Sequence, residues 1–146
     1  MLVKQILKGK GDGAVITVAA QATVGDAAKL LSEHRIGALI VADEGIEAGP
    51  RGILSERDIV RELGRRGTGC LGDKVSDLMT TELVSCRAEE SADTVLAKMT
   101  EGRFRHMPVL DGERMIGLIS IGDVVKARLS ELAMERDALQ DMVMGH

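Results

Sequence analysis

Two short stretches place a hydroxyl and a carboxylate three residues apart. In GILSERD (residues 52–58) they are Ser55 and Asp58, and in GLISIGD (residues 117–123) they are Ser120 and Asp123. Each pair follows an aliphatic run and precedes a helical pattern, and two kinds of chemistry fit. The first is structural. A serine at the N-cap accepts a hydrogen bond from an unpaired helix N–H, and the acid three residues on reaches back to the serine backbone. The second is recognition. A carboxylate accepts both hydroxyls of a ribose diol, while a serine hydroxyl and free N–H groups at a helix N-terminus receive a phosphate. The two uses can coexist, and spacing alone favours the cap.

The elements that carry these pairs are themselves repeated. Thr17–Asp43 aligns with Ser85–Asp111 without gaps, pairing Ala20 with Ala88, Glu33 with Glu101, Arg35 with Arg103 and Val41 with Val109. The first half then carries three extra residues in a Gly/Pro-containing turn. Alignment resumes at Gly52 and Gly117 and runs through both Ser/Asp pairs. The lead-ins VKQIL (3–7) and VSDLM (75–79) correspond as well. Each unit reads as a short strand (VITV, 15–18; LVSC, 83–86), then a helix with apolar residues at helical spacing, with Thr23 or Ser91 as its N-cap. Two strands joined by a turn follow, and a second helix starts at the motif serine. The expected fold is therefore α/β (α+β), two β-α-β-β-α repeats. A unit this small buries too little surface alone, so the two are expected to pack as a pseudo-twofold pair. The expected division is a first repeat with its lead-in helix over 1–70, a second over 71–128, and a C-terminal helical extension over 129–146.

Composition removes several function classes. The 146 residues carry a net charge of −4, so the broad positive field of a nucleic-acid binder is missing. There is no Trp or Tyr, and Phe104 is the single aromatic, so no base-stacking platform exists. The longest strictly apolar run, ALIVA (38–42), falls far short of a membrane span. Cys70 and Cys86 form no disulfide framework, and the chain reads as cytoplasmic.

Three features favour a ligand over a mere cap. Each motif follows a strand with no loop, so its helix N-terminus opens at a strand end. Arg57 lies inside the first motif, and Arg35, Arg103, Arg105 and His106 precede the middle strands. The carboxylates also suit a diol. With HRIGALIVAD…GILSERDIV in one half and RFRHMPVLD…GLISIGDVV in the other, the chain resembles a tandem pair of CBS domains, the regulatory modules named after cystathionine β-synthase, over about Val3 to Arg128. The resemblance implies two clefts holding AMP, ADP or ATP, or in some members NAD(H) or S-adenosylmethionine, with no catalytic cofactor. It implies that Ser55 and Asp58 face the region of Ser85 and Phe104–Arg105–His106, while Ser120 and Asp123 face Thr17 and Ile36–Gly37–Ala38. The aspartates would hold ribose, and the serines, aided by arginine, the phosphates. Because Ile121, Gly122, Gly37 and Ala38 stand where the first cleft has charged residues, the Asp123 cleft is expected to lack local positive charge and to take a less charged end of a ligand or stay empty, and the Asp58 cleft to be the better phosphate site.

Other candidates read as structural. No His/Cys/Asp cluster has metal-ligand spacing. Cys86 reads as buried filler, and Cys70 as a loop residue without an activating neighbour. KGKGDG (8–13) lacks the P-loop pattern and reads as a turn, and His146 reads as a mobile terminus. Val125, Leu129, Leu132, Leu139 and Val143 recur three or four apart along the final helix, broken only where Arg136 falls in the stripe, and this suits a helix–helix seam in a homodimer. The leading function is a non-catalytic adenine-nucleotide sensor that regulates an unidentified partner. A structural dimeriser whose motifs are only caps remains the alternative. An enzyme finds no nucleophile–base pair in support.

Overall fold

The computed structural model describes residues 1–10 and 15–145. The KGKGDG turn expectation falls partly, and that for His146 wholly, outside them. The elements in chain order are α1 (Val3–Gly9), β1 (Thr17–Val18), α2 (Val24–His34), β2 (Ala38–Val41), β3 (Gly52–Ser55), α3 (Glu56–Arg66), α4 (Val75–Leu78), α5 (Ala92–Gly102), β4 (His106–Asp111), β5 (Arg114–Ser120) and α6 (Ile121–Met144). The fold is mixed α/β with small sheets. β1 pairs parallel to β2 and β2 antiparallel to β3, while β4 and β5 form a two-stranded sheet.

Local chemistry sets the helix starts. Thr23 accepts from the Asp26 N–H at 3.1 Å and Ser91 from the Thr94 N–H at 3.1 Å, capping α2 and α5 at the expected positions. Both helices end on an arginine in the left-handed region, Arg35 (φ 53°) and Arg103 (φ 57°), which turns the chain into the following strand. The expected first strands are shorter than their sequences suggested. VITV contributes only Thr17–Val18, and LVSC contributes no strand, only a parallel bridge from Cys86 to Val109. Cys86 donates its N–H to the Pro108 carbonyl at 3.0 Å, but the residues around it do not extend the ladder.

Two compact units result, and neither follows chain order. The first-repeat unit gathers residues 15–84 and 110–116. Its core is Val18, Ala20, Val24, Ala27, Leu31, Leu39, Val41, Leu54 and Ile59, closed by Val75 and Leu78 of α4. The second-repeat unit gathers α1 with residues 85–109 and 117–145. Its core is Cys86, Ala92, Val95, Met99, Met107, Val109, Ile119, Val124 and Ala127, closed by Val3 and Ile6 of α1. The cores correspond position by position. Val24, Ala27 and Leu31 match Ala92, Val95 and Met99 at i, i+3 and i+7 on one helix face. Leu54 and Ile59 match Ile119 and Val124, and Val75 and Leu78 match Val3 and Ile6. The lead-in helix α1, grouped with the first repeat by chain order, thus packs with the second, and α4 packs with the first. Burial of its apolar face decides where each short helix goes.

The glycine that opens each motif makes room for these lead-ins. A Cβ on Gly52 would stand 2.8 Å from Met79 Sδ and 2.9 Å from the Thr80 carbonyl oxygen, and one on Gly117 would stand 2.8 Å from Leu7 Cδ2. Thr80 is fixed there, exchanging backbone hydrogen bonds with Ile53 at 2.9 and 3.0 Å. Gly52→Ala is therefore expected to cost about 1–3 kcal/mol in urea unfolding, as overpacking does. Gly117→Ala should cost less, because only the end of a flexible leucine has to move.

Candidate functional site

In the first-repeat unit, three strand ends present the motif. Ala38 stands opposite Ser55 in the β2–β3 ladder, and Thr17 lies on β1 opposite Ile40. The Gly37 carbonyl accepts the Glu56 N–H at 2.9 Å, which ties the residue before β2 to the first turn of α3. The Ser55 hydroxyl accepts the Asp58 N–H at 3.3 Å, and Asp58 Oδ2 accepts both the Ser55 N–H and the Ser55 hydroxyl at 3.0 Å. Asp58 is the one buried charged residue of the described chain, and its Oδ1 accepts from Arg61 Nη2 at 3.0 Å. The cap expected from the spacing is real and complete. Arg57 is exposed on the same turn. A surface cavity of about 460 Å³ opens between the end of α2 and the start of α3 and takes in Ile36, Gly37, Glu56 and Val60, beside the motif but without Ser55 or Asp58 in its wall.

The second-repeat unit repeats the device. The Ile121 N–H donates to the Arg105 carbonyl at 2.8 Å, the counterpart of the Glu56–Gly37 bond, and brings Arg105 and His106 to the head of α6. The Ser120 hydroxyl accepts the Asp123 N–H at 3.1 Å, and Asp123 Oδ2 accepts the Ser120 N–H at 2.9 Å. Phe104 is half-buried against the unit's core, with its ring so close over Gly102 that a Cβ there would meet it at 2.2 Å. The aromatic is thus held by packing within its own unit. Ser85, half-buried, directly precedes Cys86. Cys86 itself is core, and burial, aided by the charge of Glu90, pushes its thiol up to about 11, which suits an inert filler.

A cation reaches the Asp123 motif from far along the chain: Lys10 Nζ donates to Asp123 Oδ2 at 2.8 Å and to the Leu118 carbonyl at 2.9 Å. Lys10 comes from 113 positions away, and no local pattern reveals it. Arg61, in the basic stretch 61–66, stands three residues after Asp58 on the same helix, a spacing that brings the pair together. Among the described residues no group of three or more His, Cys, Asp or Glu is placed to hold a metal. No helix among them is long and apolar enough to cross a membrane.

The model of the CBS domain matches the chain twice, over residues 12–65 and 75–130. The chain belongs to the CBS domain family. It is a CBS pair, a module of the regulatory kind. A mitochondrial CBS domain-containing protein of Arabidopsis thaliana, CBSX3, is 35% identical over 148 residues, spanning 98% of this chain and 72% of its own length. A CBS-domain protein of Agrobacterium tumefaciens has a crystal structure 42% identical to this chain, with a TM-score of 0.82 over 88% of this chain and 99% of that one. The CBS domain pair of protein MJ0100, solved in complex with 5′-methylthioadenosine and S-adenosyl-L-methionine, is 26% identical, with a TM-score of 0.76 over 90% of this chain and 98% of that one.

Proposed function

We propose that this CBS pair is a non-catalytic sensor of an adenosine-containing ligand, AMP or another adenine nucleotide or NAD(H), held through its Ser55/Asp58 and Ser120/Asp123 motifs. The observation that carries the reading is the duplicated geometry. A serine and a carboxylate head a helix directly after a strand in both units, and a backbone bond ties that head to Gly37–Ala38 in one and to Arg105–His106 in the other. A carboxylate accepts a ribose diol, and both ligands in the MJ0100 complex carry one on an adenosine. Thr17, Ile36 and Ser85 complete the proposed contacts, with Arg57 as the phosphate partner. The chain works in the cytoplasm as a homodimer and passes the ligand signal to a partner protein by favouring one arrangement of the module. Support for the dimer comes from α6, where Val125, Leu129, Leu132, Leu139 and Val143 are all exposed, at 41–86%.

A second reading has one observation of its own. The Asp58 carboxylate is already satisfied by Ser55 and Arg61, which is all that a structural cap requires. One preparation separates the two. Without Trp or Tyr the protein is nearly transparent in the near ultraviolet, so a co-purified adenine is directly visible. We expect an adenine band in the nucleic-acid-free protein, or saturable calorimetric binding of AMP, ADP, ATP or NAD(H), with a dimer in sedimentation equilibrium. A blank spectrum and no binding across that series would leave only the cap.

A further inference from the structure

The two motifs draw their cations from different parts of the chain. In the ungapped alignment of 3–10 with 75–82, Lys10 corresponds to Glu82. The Asp58 motif therefore draws its cation from its own helix, through Arg61, whereas the Asp123 motif draws one from the chain beyond α1. The Lys10 ammonium is clamped by two acceptors of the β5–α6 junction, the Leu118 carbonyl and Asp123 Oδ2. Burial pushes the Asp123 carboxyl up, but the bonds from Lys10 and from the Ser120 backbone and side chain outweigh it and hold the group below the usual carboxylate range. The pair is half-exposed, so its contribution to folding is small and the lysine can reorient at little cost.

We propose that Lys10 sets the specificity of the Asp123 motif, making it take a phosphorylated adenosine in preference to the nucleoside. The proposal rests on the binding reading above. An aspartate alone offers acceptors to a ribose diol but repels any phosphate on the same ligand. With an ammonium at 2.8 Å its charge is offset, and that ammonium has further donors to give an arriving anion. A nucleoside carries no anion to collect this benefit, and its diol competes with Lys10 for Oδ2. Ligand charge, not adenosine recognition, is what Lys10 reads.

The test uses the full chain carrying Asp58→Asn, which disables the first motif while keeping a capping side chain. AMP and adenosine are titrated by calorimetry. Lys10→Gln is expected to weaken AMP about five- to tenfold and leave adenosine within about twofold, and Lys10→Arg to restore the preference. An AMP-to-adenosine ratio unchanged by Lys10→Gln overturns the proposal. If neither ligand binds the unsubstituted protein, and Asp123→Asn changes nothing, the binding reading itself has failed and takes this one with it. Carbon-detected titration of the Asp123 carboxyl checks the pair without any ligand. It should rise toward its ordinary value in Lys10→Gln, and a carboxyl that does not move overturns the proposal whatever binds.

Discussion

Asp58→Ala is expected to weaken adenine-nucleotide binding about 10- to 100-fold, because hydrogen bonding to a charged group contributes about 1.5–3 kcal/mol and each step of about 1.4 kcal/mol is tenfold. The same substitution removes the acceptor for the Ser55 N–H and hydroxyl and for Arg61, and should lower stability by about 1–3 kcal/mol. Asp58→Asn separates these effects. Its amide oxygen still accepts from the Ser55 N–H, so most of the stability should return, while the charge that holds the diol is gone. Calorimetry beside thermal unfolding reads both. Affinity that follows the charge supports recognition. Affinity that stays constant while the melting temperature falls would reduce the motif to a helix cap.

The other large effect is far from either motif. Val3 is wholly buried in α1, within the core formed by Ala92, Val95, Met99, Ile119 and Val124. Val3→Asp places an unpaired carboxylate there and should cost more than about 3 kcal/mol. Its signature is positional. Amide hydrogen exchange should lose protection first along α5 and β5 of the second-repeat unit, although the mutation precedes the first repeat in sequence. Val75→Asp should show the reverse, loosening α2 and β3. Loss of protection spread evenly over both units by either substitution would contradict this assignment of α1 and α4.

How much of this was legible beforehand depends on distance along the chain. The caps at Thr23, Ser55, Ser91 and Ser120 are written within four residues, and each lies where the spacing put it. The helical faces of α2 and α5 follow from apolar period, and strands β2 to β5 from their turn residues. LVSC failed as a strand because a strand exists only where a partner runs alongside, and the Cys86 bridge does not extend. The destination of α1 was hidden for a related reason: its pattern shows that one face must be buried, not which core receives it. Lys10 marks the limit. A lysine in a glycine-rich stretch has many possible partners, and only the folded chain selects Asp123.

The exchange of lead-in helices also sets an order of events during synthesis. α4 follows the strands it covers, so the sheet of the first repeat can be closed almost as soon as residue 84 is made. α1 is made before all the residues of the second repeat that cover it, since its core partners run from Cys86 to Ala127. At about 5–20 residues per second its apolar face waits on the order of ten seconds for Val95, Ile119 and Val124 to arrive. Until the second repeat is complete, the chain therefore carries α1 as a short hydrophobic segment without its cover.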